Sequence, residues 1–396
     1  MKQKDYQDLP GYAFPSIELL SRHDELRDDV PVEEIDRKRR RIFKFFSRNN
    51  VAVEDIQVIP GPSVSLFKVY LGAGVRAATV LALDAGLSLY LRAKGVRIVM
   101  MGDCVGIEIA NDKPSVVPLR AILESPDFRD SQAELPIAVG YSTAYQPKVI
   151  DLADAPHILM SGATRQGKSM AVHSLVASLM YAKYPSEVRF VFIDPKGCEL
   201  QVYGGLPNHY LAVLPDVKGE KGDASRAVVS SLVRSCDVLD SLVVEMNDRL
   251  DNSSEKRPFI VVIIDEFADL IVPFGGEESQ MLAQRVSRDI VMLAQKGHAA
   301  GIHLVLTTQR PSTDVITWSI KAGFPMRMAF RVMSRADSKV IIDKPGAEHL
   351  IGNGDMIVAA GAECERIQGG FISKEELVSI VDSVAAQEGF NAPFIE

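Results

Sequence analysis

The sequence predicts an α/β protein: a central parallel sheet with helices on both faces, preceded by a small α+β domain. Three observations carry that reading. From Ile150 onward, the short apolar runs His157–Met160, Val188–Ile193, Ile260–Ile264 and Ile302–Leu306 are separated by long stretches of helical spacing. Runs apolar on both faces are strands buried on both sides, as in a parallel sheet covered by helices. Between Val51 and Val149 the texture differs, with polar and apolar residues alternating at strand period. The chain has 396 residues, 47% apolar and 24% charged, which is core material for two or three domains and too apolar for a mostly disordered chain.

Taken in order, residues 1–30 read as a leader, because Pro10, Gly11 and Pro15 interrupt it and no apolar period is sustained. Residues 31–48 read as a charged helix with Ile35, Ile42, Phe45 and Phe46 as its core positions. The run Arg37-Lys38-Arg39-Arg40-Arg41 inside it has two readings: a phosphate contact, or a solvated face paired to Glu33, Glu34 and Asp36. Val51–Ile59 reads as a strand closed by Pro60-Gly61-Pro62, and Val64–Leu71 as a second strand. Val80–Ala93 has helical spacing, and Val96–Met101 and Val105–Ile109 are strand-like around a Gly102-Asp103 turn. The small domain thus covers 31–149, without a catalytic constellation. The parallel-sheet domain covers 150–372, and 373–396 holds one amphipathic helix around Lys374–Ala386 and a tail.

Charge and cysteine usage narrow the function. Lys and Arg number 44 against 52 Asp and Glu, a formal net charge of −8, so a protein that coats nucleic acid with a basic surface is not expected. A local basic channel stays open, since partners feel local fields. No window approaches the roughly 18 uninterrupted apolar residues of a membrane-spanning helix. Met1–Leu20, with Lys2, Lys4, Asp5 and Asp8, is not a signal peptide. Cys104, Cys198, Cys236 and Cys364 are far apart and form no CxxC pair, which fits a reducing, cytoplasmic setting and small buried side chains.

The chemistry centres on Gly162-Ala163-Thr164-Arg165-Gln166-Gly167-Lys168-Ser169, which fits G-x-x-x-x-G-K-[ST] between an apolar strand and the helical run Met170–Met180. That strand–loop–helix context is what a P-loop requires. Glycine lets successive backbone N–H groups curl inward around phosphate oxygens, and the helix N-terminus adds to the anion site. Lys168 is expected to reach the β- and γ-phosphates of ATP, and the Ser169 hydroxyl to bind Mg²⁺. A second acid is needed, and Val261-Val262-Ile263-Ile264-Asp265-Glu266 supplies it at the end of a buried strand. Asp265 is assigned to the metal and Glu266 to the attacking water. The next strand ends in Thr307-Thr308-Gln309-Arg310-Pro311, where Gln309 either senses the γ-phosphate or caps a helix. Asp194-Pro195-Lys196 ends a strand on the same rim and either organises the site or only terminates the strand.

These segments in this order resemble the FtsK/SpoIIIE family of double-stranded DNA translocases. The resemblance rests on His157 to Ser169, Phe192-Ile193-Asp194-Pro195-Lys196, Asp265-Glu266-Phe267-Ala268-Asp269 and Ala300 to Ser312. It continues in Asp314 to Thr317, Ala336-Asp337-Ser338, Gly346-Ala347-Glu348 and Gly352 to Met356. Upstream, Pro60 to Pro62, Gly74-Val75-Arg76 and Val105 to Ile109 resemble the small α domain that precedes the family's motor, so the likeness runs from about residue 35 to 380.

The resemblance implies a RecA-like P-loop motor in a homo-hexameric ring, with double-stranded DNA in the pore and ATP between subunits. It implies an arginine acting in trans, for which Arg327 matches the family's segment, with Arg331 and Arg335 as rivals. It also implies that Arg335 and Lys339 face the DNA backbone. Chromosome segregation, conjugation and mobile-element transfer all stay open as the process served. The chain departs from the family at Arg165-Gln166, at Trp318 where glycine is usual, and in a longer segment between Asp269 and Ala300. Without the family's membrane-spanning N-terminus and winged-helix γ domain, septum anchoring and directional sequence reading are not expected. Two rivals remain: a coupling or secretion motor that moves another cargo, and a nucleotide-dependent clamp that hydrolyses negligibly.

Overall fold

The structure, a computed structural model, describes residues 9, 11–22, 30–212, 227–252, 257–272 and 275–390. Part of the expected leader (1–8, 10 and 23–29) and the last six residues of the tail lie outside the described residues.

The first domain follows from its apolar spacing. Helix α1 (Val32–Arg48) buries Ile42, Phe45 and Phe46. It packs on a four-stranded antiparallel sheet built from β1 (Val53–Ile59), β2 (Val64–Leu71), β3 (Arg97–Met101) and β4 (Cys104–Ala110), in the order β1-β2-β4-β3. Between β2 and β3 lie the short helices α2 (Ala77–Leu81) and α3 (Asp84–Leu91). Phe67, Val69, Leu87, Val105 and Ile107 join the α1 residues in one apolar core. The basic run on α1 is mostly paired. Lys38 is buried, salt-bridged to Glu34 and bonded to the Ala110 carbonyl at 2.7 Å, while Arg37 pairs with Asp112.

The expected boundary at residues 149/150 is corrected by the sheet topology. After α4 (Leu119–Leu123) and α5 (Pro126–Arg129) come β5 (Pro136–Ser142) and β6 (Pro147–Asp151). Both belong to the large sheet of the second domain, because β5 pairs with a strand more than 200 residues later in the chain, Ile367 facing Ser142. The small domain therefore ends near Ala110. β5 is buried along its whole length and β6 half-buried, and neither run is long enough for its pattern to show which sheet it joins.

Among the described residues the large sheet has ten strands. In chain order its remaining elements are β7 (His157–Ser161), α6 (Lys168–Ala182), β8 (Val188–Ile193), β9 (Val228–Val229), α7 (Leu232–Asp251), β10 (Phe259–Ile264), α8 (Ala268–Ile271) and α9 (Glu277–Lys296). They continue with β11 (Ile302–Thr308), α10 (Trp318–Gly323), β12 (Met326–Phe330), α11 (Arg335–Ile342), β13 (Asp355–Ala360), β14 (Glu363–Gly369) and α12 (Lys374–Ala385). The spatial order is β6-β5-β14-β13-β12-β7-β11-β10-β8-β9. From β12 to β9 neighbouring strands are parallel, and from β12 to β6 they are antiparallel. The parallel half was expected. The antiparallel wing was not, because its strands come from both ends of the domain.

Central strands alternate between two cores, as double-sided burial requires. Ile158, Met160, Val261, Ile263 and Val305 face one core, and Leu159, Ile260, Val262, Ile264, Leu304 and Leu306 face the other. Helix α6 is buried around most of its circumference, lying directly on the sheet. The described part of the leader is not free-standing. Leu20 is buried in the motor core, Tyr12 hydroxyl bonds Tyr210 at 2.8 Å, and Arg120 clasps Glu18 at 2.6 Å. Of the four cysteines, Cys104 and Cys236 are buried, while Cys198 is exposed and Cys364 half-buried.

The two domains are joined by a buried ion cluster. Arg366 on β14 forks onto Asp355 at 3.0 and 2.7 Å, and its third nitrogen bonds Glu108 of β4 at 3.1 Å and the Gly95 carbonyl at 3.0 Å. Arg97 closes the cluster on Glu108 at 3.3 Å.

Candidate functional site

The strand order β7-β11-β10 brings three strand ends side by side on one rim. The P-loop leaves β7, Gln309 leaves β11, and Asp265-Glu266 leave β10. Carboxyl ends of parallel strands at such a rim are the usual place for a ligand. The loop's glycines are there for close approach. A Cβ on Gly167 would lie 2.5 Å from the Gly354 nitrogen, and Gly167 sits at φ +112°. A Cβ on Gly162 would meet Phe330 at 2.6 Å. Backbone bonds fix the loop to its neighbours: Ala163 N–H donates to the Arg331 carbonyl and Gly354 N–H to the Gln166 carbonyl, both at 2.9 Å. Thr164 and Arg165 are exposed, with Arg165 left-handed at φ 60°.

Lys168 opens α6, and its side chain is buried with no hydrogen-bond partner for Nζ among the described residues. Burial pushes its ammonium down to about 8, against the pull of Glu266 and Asp265. A buried cation without a partner is costly, and phosphate oxygens are what would satisfy it. The residues therefore fit a nucleotide triphosphate. They fit a magnesium ion as well. Ser169 and Asp265 are hard oxygen donors, and burial raises the Asp265 carboxyl, so a cation beside it is favoured. Among the described residues no group of three or more His, Cys, Asp or Glu could hold a metal. An ion here would thus complete its shell with phosphate oxygens and water, as magnesium commonly does.

Asp265 accepts from the Thr307 hydroxyl at 2.5 Å. Glu266 is buried and left-handed at φ 47°. Its Oε1 accepts from the Thr308 hydroxyl at 2.7 Å and from Gln309 N–H at 3.1 Å, and its Oε2 from Lys196 at 3.1 Å. Burial opposes ionisation of Glu266. The Thr308 hydroxyl, the Gln309 amide and the two lysine ammoniums outweigh it and hold the carboxyl below its ordinary value. Gln309 Oε1 accepts from the Thr164 hydroxyl at 2.6 Å, which puts its side chain on the P-loop and not on a helix end.

Sequence reasoning underrated the segment after β8. Asp194 is fully buried and accepts N–H bonds from Gly197, Glu199 and Leu200 at 2.9 to 3.0 Å, so it organises the loop as well as ending the strand. That loop aims Lys196 at Glu266. It notes the segments of Thr307, Thr308 and the Gly352–Gly354 turn but gives them no part in the site, although each lies next to a strand end of the same sheet.

A cleft of about 1210 Å³ runs from Lys168, Ser169, Thr164 and Gln309 to Arg37, Arg41, Arg92 and Lys94 of the small domain. The remaining predicted residues lie elsewhere. Arg327 is on β12, opposite Leu159, with its guanidinium held by Asp343 at 2.5 Å and by the Ile341 carbonyl at 3.1 Å. Arg331, Arg335 and Lys339 are exposed and form no ion pair among the described residues. Trp318 is 83% exposed. Among the described residues no helix is long and apolar enough to cross a membrane.

The profile of the FtsK/SpoIIIE family matches residues 118–251 and 229–313, and that of the FtsK alpha domain matches 14–111. The chain is 35% identical to the DNA translocase FtsK of Haemophilus influenzae, over 98% of this chain and 78% of that one. It is 37% identical to the DNA translocase FtsK of Caldanaerobacter subterraneus subsp. tengcongensis, over 94% of this chain and 52% of that one. It also spans 43% of the Haemophilus ducreyi DNA translocase FtsK, at 36% identity. Among solved structures, its fold is similar to the pCW3 conjugation coupling protein TcpA, with a TM-score of 0.59 at 19% identity, over 88% of this chain and 99% of that one. It is likewise similar to the cytoplasmic domain of the Thermomonospora curvata type VII secretion ATPase EccC, with a TM-score of 0.55 at 19% identity, over 70% of this chain and 35% of that one. With its alpha-domain and motor segments both matched, and relatives aligned along nearly its whole length, the chain belongs to the FtsK/SpoIIIE family.

Proposed function

We propose that the chain is the motor of an ATP-driven double-stranded DNA translocase, working in a homo-hexameric ring and coupling hydrolysis of ATP to ADP and phosphate with movement of the duplex. The observation that carries this is the buried, unpartnered Lys168 ammonium on the same rim as Asp265, Glu266 and Gln309, in a member of this family. The P-loop N–H groups and Lys168 bind the β- and γ-phosphates, and Ser169 and Asp265 hold Mg²⁺, which supplies charge neutralisation when bound. Glu266 orients a water in line with the γ-phosphorus and takes its proton. Gln309, tied to Thr164 of the P-loop, registers whether the γ-phosphate is present.

An arginine from the neighbouring subunit completes the charge balance, at a worth of about 10³–10⁵ in rate in comparable NTPases. Arg327 serves that role only after release from Asp343, and the exposed Arg331 is its nearest rival. Arg335 and Lys339, at the start of α11 and one turn on, contact DNA phosphates without reading bases.

The test is the ATPase rate with and without linear duplex DNA, at low and moderate salt. Strong, salt-sensitive stimulation is expected. Lys168→Ala removes a buried charge-assisted bond and weakens nucleotide binding about 10- to 100-fold. Hydrolysis indifferent to DNA but stimulated by peptide would transfer the reading to a protein-moving motor on the same fold.

A further inference from the structure

Glu266 has no free carboxylate oxygen. Oε1 is held by the Thr308 hydroxyl at 2.7 Å and the Gln309 amide at 3.1 Å, and Oε2 by that amide and Lys196 Nζ, each at 3.1 Å. Three hydrogens, one of them shared between both oxygens, leave about one acceptor site on a carboxylate that is 4% exposed, so a water reaches it poorly while all three donors stay. Releasing one donor opens it. Thr308 is fully buried within β11, and the Gln309 donor is backbone at the end of that strand. Lys196 alone is able to go: its side chain is 42% exposed on a flexible stem. The loop beneath it cannot follow, because buried Asp194 pins the amides of Gly197, Glu199 and Leu200. Asp269, 3.8 Å from Lys196 and 40% exposed, offers the ammonium a second partner toward solvent.

From this geometry we infer that Lys196 is a clamp on Glu266, keeping the motor from hydrolysing ATP until a phosphate group draws the ammonium away. The inference rests on the reading of Glu266 as the residue that orients the water. Phosphate suits the task because its anionic oxygens accept charge-assisted bonds from the same ammonium donor. It comes from one of two sources, the bound nucleotide or the backbone of duplex DNA. Lys196 is then a positioning residue that acts through Glu266.

The test compares wild type, Lys196→Gln and Lys196→Arg by steady-state ATPase with and without linear duplex, and by binding of a fluorescent ATP analogue. A half-exposed ion pair has a modest worth, so the expected rise in kcat for Lys196→Gln is about 1.5- to fivefold. KM and analogue affinity are expected to stay within about twofold, and Lys196→Arg to return kcat toward wild type. If DNA phosphate is the trigger, only the DNA-free rate rises and stimulation collapses. If the nucleotide is the trigger, both rates rise by the same factor. A kcat that is unchanged or lower in both conditions overturns the clamp. Glu266→Gln, assayed in parallel, separates the two levels: full hydrolysis in that variant removes the functional reading itself, whereas a dead Glu266→Gln beside a neutral Lys196→Gln removes the clamp alone.

Discussion

Replacing Arg366 by leucine tests the joint between the two domains. The side chain is 1% exposed and neutralises Asp355, 2% exposed, and Glu108, 6% exposed. Leucine fills much of the volume but removes the charge that both carboxylates share. Breaking a buried pair by removing one partner costs about 3–5 kcal/mol. The two carboxylates do not suffer equally. Glu108 keeps Arg97 at 3.3 Å, whereas Asp355 keeps only the Ile351 amide at 2.8 Å. Most of the loss therefore belongs to Asp355, and Asp355→Asn in the Arg366→Leu background is expected to recover about 1–3 kcal/mol, because the amide carries no charge to bury. The strain should also reach the nucleotide. Asp355 ends the Gly352–Gly354 turn, and Gly354 N–H bonds the P-loop at Gln166. Urea denaturation followed by circular dichroism measures the first effect, and titration of a fluorescent ATP analogue the second. Stability of Arg366→Leu within 1 kcal/mol of wild type would refute the argument that this cluster balances buried charge.

Further predictions concern the site and the core. Glu266→Gln should keep ATP affinity while losing about 10²–10⁴ in kcat, the usual worth of a positioned general base, read by phosphate release. Arg335→Ala and Lys339→Ala should each weaken duplex binding equally across sequences and lower the salt slope by about one, measured by anisotropy between low and moderate salt. Four buried histidines, His157, His173, His209 and His303, make stability pH-dependent, and burial lowers each of them. Burial lowers His157 to about 3 and His173 and His303 to about 4, from an ordinary 6.5. His157 accepts the Leu304 amide at Nδ1, which fits the neutral form. Because the folded values are depressed, the unfolded chain takes up protons first as pH falls. The stability they contribute is complete above 6.5 and is lost on acidification toward 4. His157, His173 and His303 each contribute about 1.4 kcal/mol of loss by pH 5.5, and His303→Asn should remove that one share from the pH dependence of denaturation midpoints taken from pH 7 to 5.5.

Sequence alone determined the parallel half of the sheet, the P-loop and the paired acids. Each is a local signal: a run of four to six apolar residues, glycines where only glycine lets backbones touch, a lysine and serine opening a helix, carboxylates ending a strand. Periodicity and spacing are properties of neighbours in the chain, so they are legible there. The tertiary structure decided which strands share a sheet, and so moved β5 and β6 from the small domain to the motor. It decided that Lys38 is buried against Glu34 and Asp112 where either a phosphate contact or a solvated face was expected. It decided that Arg327 is occupied by Asp343, that Lys196 faces Glu266, 70 residues away, and that Arg366 and Glu108, 258 apart, share one buried cluster. Charges that pair across such separations leave no trace in spacing, because what brings them together is the packing of whole sheets and the cost of burying any one of them alone.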